Sequence, residues 1–163
     1  MVNDRDTARE IVRWGKFRPL GERGFNTASR GLDYGLRPIL ENFEHMNKHT
    51  HLIAQIETAE AVDNIDAIVN VEGLSGILVG PGDLSADLGC PAEFTNERLG
   101  QAVAHCISTA KKAGKHGGIL TSHPGLLKTA YDVGSDFVFV LNNVVALRNA
   151  MKEKLEETRN SFR

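Results

Sequence analysis

The chain has 163 residues, which leaves room for one domain and excludes two domains of ordinary size. Hydrophobic residues make up 41% of the chain, enough to supply a buried core. The net charge is −2, and no basic run is long enough to form a nucleic-acid-binding surface. No apolar stretch reaches the roughly 18 residues of a membrane span, and the polar first residues do not resemble a secretory signal. We therefore expect one soluble, cytoplasmic domain over residues 1–163, which binds neither nucleic acid nor membrane.

The first third of the chain is predicted to be mainly helical. Apolar residues at helical spacing predict a short amphipathic helix from Asn3 to Gly15, with Asn3 as its cap. The loop over residues 16–24 interleaves proline and glycine with basic side chains, which ends this helix. A second helix is predicted from Pro38 to Lys48.

From residue 51 onward, short apolar runs alternate with capped helical stretches. Strands are predicted over residues 52–56, 76–79, 117–120 and 137–141. Three helices between them open at Thr58, Thr95 and Pro124 and close at Gly73, Gly114 and Gly134. A last helix covers residues 143–159.

Four successive strand–helix units predict right-handed crossovers and a parallel sheet, so the fold class is α/β. Length alone favours a doubly wound parallel sheet, because a complete (β/α)8 TIM barrel typically needs about 250 residues.

The first candidate functional residues are Gln55 and Glu57, the two polar residues in the otherwise apolar run at and directly after the predicted strand over residues 52–56. Their spacing of two places both side chains on one face of the strand. Glu57 falls at the carboxyl end, where parallel α/β folds bind their ligands, so it is a candidate metal ligand or acid–base group. Alternatively, Glu57 merely favours the start of the following helix through its negative charge.

The second candidate is the run Gly80-Pro81-Gly82-Asp83, directly after the predicted strand over residues 76–79. Its glycines allow backbone N–H groups to converge on an anion, and Asp83 adds a carboxylate. Two carboxylates beside an anion site suit a divalent cation that holds a small acid. An ordinary strand-to-helix turn uses the same residue types.

Other polar residues are weaker candidates. His45, His49 and His51 resemble a metal cluster, but no carboxylate or thiol completes a set. His123 follows a predicted strand and either faces a ligand or caps the helix that begins at Pro124. No lysine falls at the carboxyl end of a strand, which disfavours a Schiff-base aldolase mechanism.

Four short runs of the sequence resemble the HpcH/HpaI aldolases, the metal-dependent pyruvate aldolases of the citrate-lyase-β-like group. The runs are Pro19-Leu20-Gly21-Glu22-Arg23-Gly24, Gln55-Ile56-Glu57-Thr58, Gly80-Pro81-Gly82-Asp83-Leu84-Ser85 and Gly117-Gly118-Ile119. The resemblance implies that Glu57 and Asp83 bind a divalent ion, Mg or Mn, with Co possible. It also implies that Gln55 is a catalytic residue that contacts substrate or metal-bound water.

The same resemblance implies a substrate and a reaction. The backbone from Gly80 to Asp83 would hold the carboxylate of pyruvate or another 2-keto acid. The expected activity is that of a lyase: reversible aldol cleavage of 4-hydroxy-2-keto acids to pyruvate and an aldehyde, through a metal-stabilised enolate.

The resemblance also changes the expected fold. Family members are eight-stranded barrels, and this chain matches only their carboxyl-terminal half, about four strands with their helices. The family's catalytic histidine and its enolate-stabilising arginine have no counterpart here, so a catalytically silent fragment or assembly subunit is the alternative function. A half-barrel would also expose strand edges and apolar side chains, which predicts a homo-oligomer or a complementing amino-terminal half.

Overall fold

The computed structural model describes residues 1–162, which contain one four-stranded parallel sheet. Its strands are β1 (Ile53–Ile56), β2 (Gly76–Val79), β3 (His116–Leu120) and β4 (Phe137–Phe139). They lie side by side in chain order, β1-β2-β3-β4. A doubly wound sheet reverses its strand order at a switch point, so that expectation is wrong. The unreversed order is that of a segment of a (β/α)8 barrel.

Helices connect the strands and flank the sheet. They are α1 (Arg5–Gly15), α2 (Ile39–His49), α3 (Ala59–Asp63), α4 (Ile65–Val69), α5 (Pro81–Asp87), α6 (Glu97–Lys112), α7 (Pro124–Asp132) and α8 (Asn143–Asn160), with a short 3-10 helix at Arg30–Gly35. None of the helices within residues 1–162 is both long and apolar enough to cross a membrane.

Several element boundaries differ from the predicted ones because polar side chains find other partners. Asp4, not Asn3, caps α1, and its carboxylate accepts a hydrogen bond from the Thr7 amide at 2.7 Å. Asn3 instead accepts a hydrogen bond from the Thr58 hydroxyl at 2.9 Å. Asn96, rather than Thr95, caps α6. Thr58 does cap α3, as predicted, by accepting a hydrogen bond from an amide of its first turn.

The hydrophobic core lies between the helices and one face of the sheet. Alternate strand residues point to that face and are fully buried: Ala54, Ile56, Ile77, Val79 and Ile119. Helix α6 packs against β2 and β3, and α4 and α7 pack against α6. The alternation and the parallel register together place all these side chains on the same side of the sheet.

The opposite face of the sheet is not covered by helices. The register aligns Gln55, Leu78, Gly118 and Phe137 across the four strands on this face. Leu120 and Phe139, one step further along, are about half exposed. In a closed barrel this face is the packed interior.

Helix α8 does not fold back onto the sheet. None of its residues is buried, and its apolar side chains Val144, Leu147, Met151 and Leu155 are each at least half exposed. Val138, on the helix-covered side of β4, is also 40% exposed. At the other end of the sheet, the Val2 amide donates a hydrogen bond to the Gln55 carbonyl, so part of the β1 edge is occupied.

We expect the 163-residue chain to associate in solution, because the uncovered sheet face and α8 together expose more apolar surface than a monomer usually tolerates. Light scattering across a dilution series should give a mass above 17.8 kDa that falls as the chain is diluted. A compact 17.8 kDa monomer with a sharp cooperative melt at low concentration would contradict the half-barrel interpretation.

Candidate functional site

The candidate site begins at the carboxyl end of β1. Gln55 is the third residue of this strand, and Glu57 directly follows the strand. The Gln55 side-chain amide donates a hydrogen bond to Glu57 Oε1 at 2.6 Å. Both side chains lie on the sheet face that no helix covers, so the spacing of two predicted in the sequence is confirmed as a side-chain contact. Gln55 therefore orients one oxygen of the Glu57 carboxylate.

Gly80 fixes the other side of Glu57. Its amide donates to the Ile56 carbonyl at 3.0 Å, which joins the carboxyl ends of β1 and β2. A Cβ atom at Gly80 would lie 2.5 Å from Glu57 Oε1 and 2.8 Å from Glu57 Cγ, closer than side-chain atoms approach one another. A larger residue here would therefore displace the glutamate side chain, whereas the backbone angle places no demand on the residue type, since its φ is −103°.

The run after β2 forms the start of a helix where the sequence predicted a nest of backbone amides. Gly80 is the N-cap of α5, Pro81 is its buried first residue, and Gly82 and Asp83 complete an exposed first turn. Amides of a first helical turn have no partner within the helix, so they remain available to an anion. Pro81 has no N–H and the Gly80 amide is paired with the Ile56 carbonyl, so the amides that this turn leaves available are those of Gly82 and Asp83.

Two further side chains hold this segment, and sequence analysis missed both roles. Ser85 is buried, donates to the Gly82 carbonyl at 2.7 Å and accepts from the Ala92 amide at 3.0 Å. Asp87 accepts from the Ala59 amide at 2.7 Å, which ties α5 to the helix that follows Glu57. The Asp87–Ala59 contact joins residues 28 apart in the chain, whereas the Ser85 bonds reach only three and seven residues along it.

The residues present fit a divalent cation with oxygen ligands. Within residues 1–162, neither Glu57 nor Asp83 forms an ion pair with a lysine, arginine or histidine. The same residues contain no group of three or more His, Cys, Asp and Glu side chains that could enclose a metal. One or two carboxylates supplemented by water and substrate oxygens are typical of Mg²⁺ sites. The half-buried Glu57 carboxylate, oriented by Gln55 beside Gly80, has the oxygen chemistry that such a site uses.

The histidines considered in the sequence do not join this site. His45 and His49 stack on α2 with their ring centroids 4.5 Å apart, and both are exposed. Desolvation, followed by the charges of His49, Arg37 and Lys48, lowers the pKa of His45. His51 faces His116 at the amino end of β3, the opposite edge of the sheet from Glu57.

A cavity of about 630 Å³ adjoins the candidate site. Pro81 and Gly82 form one wall, and the carboxyl ends of β3 and β4 form the others. Its lining is mainly apolar, from Phe94, Leu120, Phe139, Val140, Leu141 and Val145. Its polar lining comes from Thr121, Ser122, His123 and Asn142.

Parallel strands in chain order, with polar groups gathered beyond their carboxyl ends, define a segment of a (β/α)8-barrel protein. The chain belongs to the HpcH/HpaI aldolase/citrate lyase family, whose model matches residues 1–140. The family named from short motifs is therefore confirmed.

Three individual proteins illustrate this similarity. The chain is 32% identical over 157 residues to the 2-keto-3-deoxy-L-rhamnonate aldolase of Escherichia coli O6:K15:H31, covering 95% of this chain and 58% of that protein. Among solved structures, the HpcH/HpaI aldolase from Desulfitobacterium hafniense DCB-2 superposes with a TM-score of 0.85 at 27% identity, covering 97% of this chain and 61% of that one. The citrate synthase SbnG superposes with a TM-score of 0.84 at 27% identity, covering 99% and 61%. The chain thus spans about three fifths of the relatives it matches.

We expect Gly80→Ala to weaken Mn²⁺ binding, because the new methyl group must displace the Glu57 carboxylate. Loss of a group that orients a metal ligand typically costs about 10- to 100-fold in affinity. Gly82→Ala is the matched control, since a Cβ there meets no atom within 4 Å. Water-proton relaxation titrations with Mn²⁺ measure both, and equal affinities in the two variants would contradict the assigned role of Gly80.

Proposed function

We propose that this chain carries the metal- and keto-acid-binding part of a lyase for the reversible aldol cleavage of 4-hydroxy-2-keto acids to pyruvate and an aldehyde. The observation that carries the proposal is the Glu57 carboxylate, oriented by Gln55 and pressed against Gly80 at the carboxyl ends of β1 and β2. Family membership supports the reaction class, and the names of the rhamnonate aldolases support a 2-keto-3-deoxy sugar acid as the type of substrate.

Each residue has a proposed role. Glu57 and Asp83 would bind Mg²⁺ or Mn²⁺, with Co²⁺ a weaker fit for oxygen ligands. In the first turn of α5, the amides of Gly82 and Asp83 would bind the carboxylate of the keto acid, and Gly80 and Pro81 would shape the turn that presents them. Gln55 would hold Glu57 in place and donate to substrate or to bound water. The bound ion would supply positive charge to the keto oxygen as the C3–C4 bond breaks.

The reaction balances without any oxidant or reductant. The C4 hydroxyl gives up its proton and becomes the aldehyde carbonyl, while the electron pair of the C3–C4 bond passes to C3 and the keto group. A proton added at C3 then yields pyruvate. The chain's own residues account for binding and charge stabilisation, while the described residues hold no histidine beside Glu57 to move the proton.

The alternative function is a catalytically silent subunit that binds metal and keto acid or serves in assembly. The observation that favours it is that no histidine or arginine within residues 1–162 forms a hydrogen bond or ion pair with the Gln55 or Glu57 side chain. Both functions require the same binding site, so only a measurement of turnover distinguishes them.

Glu57→Ala and Asp83→Ala should each weaken Mn²⁺ affinity by more than about tenfold, because each removes a negatively charged oxygen ligand. His45→Ala and His49→Ala serve as controls and should leave the affinity unchanged. Calorimetric titration with Mn²⁺ measures all four variants. Loss of binding in the histidine variants, together with intact binding in Glu57→Ala, would show that the ion binds at α2 instead.

Turnover is tested by pyruvate release from a 4-hydroxy-2-keto acid, with Mg²⁺ or Mn²⁺ and with a chelator. We expect little or no release by this chain alone, since a positioned general base typically contributes about 100- to 10,000-fold. Metal-dependent release that the chelator abolishes and Glu57→Gln eliminates would exclude the silent alternative.

A further inference from the structure

His123 is held in the wall of the cavity beside the candidate site. It follows the end of β3, and its amide donates to the Thr121 hydroxyl at 3.1 Å, which fixes the backbone of this turn. The Phe94 ring lies on one side of the imidazole, with centroids 5.9 Å apart. Gly125 leaves room for the imidazole, since a Cβ there would lie 3.2 Å from His123 Cε1. The ring is thus packed beside Phe94, in space that the glycine leaves open.

The two ring nitrogens of His123 differ in their surroundings. Nδ1 is buried and has no hydrogen-bond partner within residues 1–162, so it is the one buried polar side-chain atom of this region left unpaired. The alternative role weighed for this residue was to cap α7, but its side chain makes no capping hydrogen bond. Nε2 is not buried in this way, and His123 lines the cavity.

The position of Nδ1 decides where the ring carries its proton. His123 is the N-cap residue of α7, and the free amides of a helix start favour an acceptor beside them and disfavour a donor or a positive charge. A neutral imidazole has one N–H. The lone pair therefore belongs on Nδ1, and the N–H belongs on Nε2, the nitrogen that is not enclosed.

Three other polar side chains line the cavity, Thr121, Ser122 and Asn142. Asn142 uses its side-chain oxygen to cap α8, accepting from the Val145 amide at 2.8 Å, and Thr121 accepts from His123. Most of the remaining lining is apolar. Because Pro81 and Gly82 belong both to the proposed carboxylate-binding turn and to the cavity wall, a keto acid held at that turn extends into the cavity.

We infer that His123 is a specificity residue, which donates a hydrogen bond from Nε2 to an oxygen atom of the substrate beyond its pyruvate unit. This inference rests on the proposed function. The apolar lining accommodates the carbon chain of the aldehyde portion, and His123 selects for a hydroxyl or carbonyl oxygen on it. Pyruvate itself, which lacks this portion, does not reach His123.

The test compares the binding of pyruvate and of 4-hydroxy-2-ketopentanoate to the 163-residue chain in the presence of Mg²⁺. His123→Phe keeps a ring of similar size and removes the donor, whereas His123→Gln keeps an amide donor. We expect His123→Phe to weaken binding of the hydroxy-keto acid about five- to tenfold, the typical contribution of one hydrogen bond, and to leave pyruvate binding unchanged. His123→Gln should restore part of the loss, and His51→Phe, at the opposite edge of the sheet, should have no effect.

A second readout is the imidazole itself. Long-range ¹H–¹⁵N spectra should show the Nε2–H form of His123 in the free chain and a shift of its signals with the hydroxy-keto acid only. Equal losses of binding for both ligands in His123→Phe, or no loss for either, would overturn the inference. The proposed function would still be supported in that case if pyruvate binding depended on Mg²⁺ and were abolished by Glu57→Gln. Pyruvate binding that needs neither Mg²⁺ nor Glu57 would overturn both.

Discussion

The parallel sheet is covered by helices on one face only, and the other features of the molecule depend on this asymmetry. Ala54, Ile56, Ile77, Val79 and Ile119 exclude water completely on the covered face. Each strand therefore turns its alternate residues to the uncovered face, where they meet no helix. Both polar and apolar side chains lie on that face. Some of them form the candidate site, and the others stay uncovered by this chain.

The candidate site uses the carboxyl end of this face. Gln55 and Glu57 share the uncovered side because they are two residues apart, and the glycine that follows β2 allows Glu57 to approach the neighbouring strand end. Because parallel strands end at the same edge, the start of α5 lies beside this carboxylate. The Glu57 carboxylate has no cationic side chain paired with it, and it lies next to free amides at a helix start. A cation and an anionic ligand would complete this arrangement together.

The same asymmetry explains what is exposed elsewhere. Leu120 and Phe139 lie on the uncovered face, and Val138 lies on the covered side at the end of the sheet that α8 does not reach. The apolar residues of α8 are likewise without partners within residues 1–162. Around the carboxyl ends of β3 and β4, Leu120 and Phe139 contribute to the wall of the cavity that His123 also lines. Solvent exposure here thus follows from a sheet that helices cover on one face only and from a last helix that does not pack on it.

Local sequence indicated most of the elements and the parallel class, and it named the candidate site residues, although the helix predicted after Thr58 is split into α3 and α4 and α5 was not predicted. Alternation in the run from residue 53 to 57 specifies which side chains share a face, and caps such as Thr58 and Asn142 set helix starts through hydrogen bonds over three residues. These are short-range properties, so periodicity and residue chemistry reveal them. The short motifs shared with the family indicated the barrel fold, whereas chain length alone favoured a doubly wound sheet.

Tertiary structure decided the rest, because the relevant contacts join residues far apart in the chain. The Asn3 side chain bonds to Thr58, 55 residues away, instead of capping α1, and Asp4 caps this helix. The strand order that excludes a doubly wound sheet, the contact between Asp87 and Ala59, and the unpaired Nδ1 of His123 likewise arise only when distant elements pack. No pattern within one segment encodes which neighbour a side chain will meet, so the sequence could identify Glu57 and Gly80 as candidates but not the contact between them.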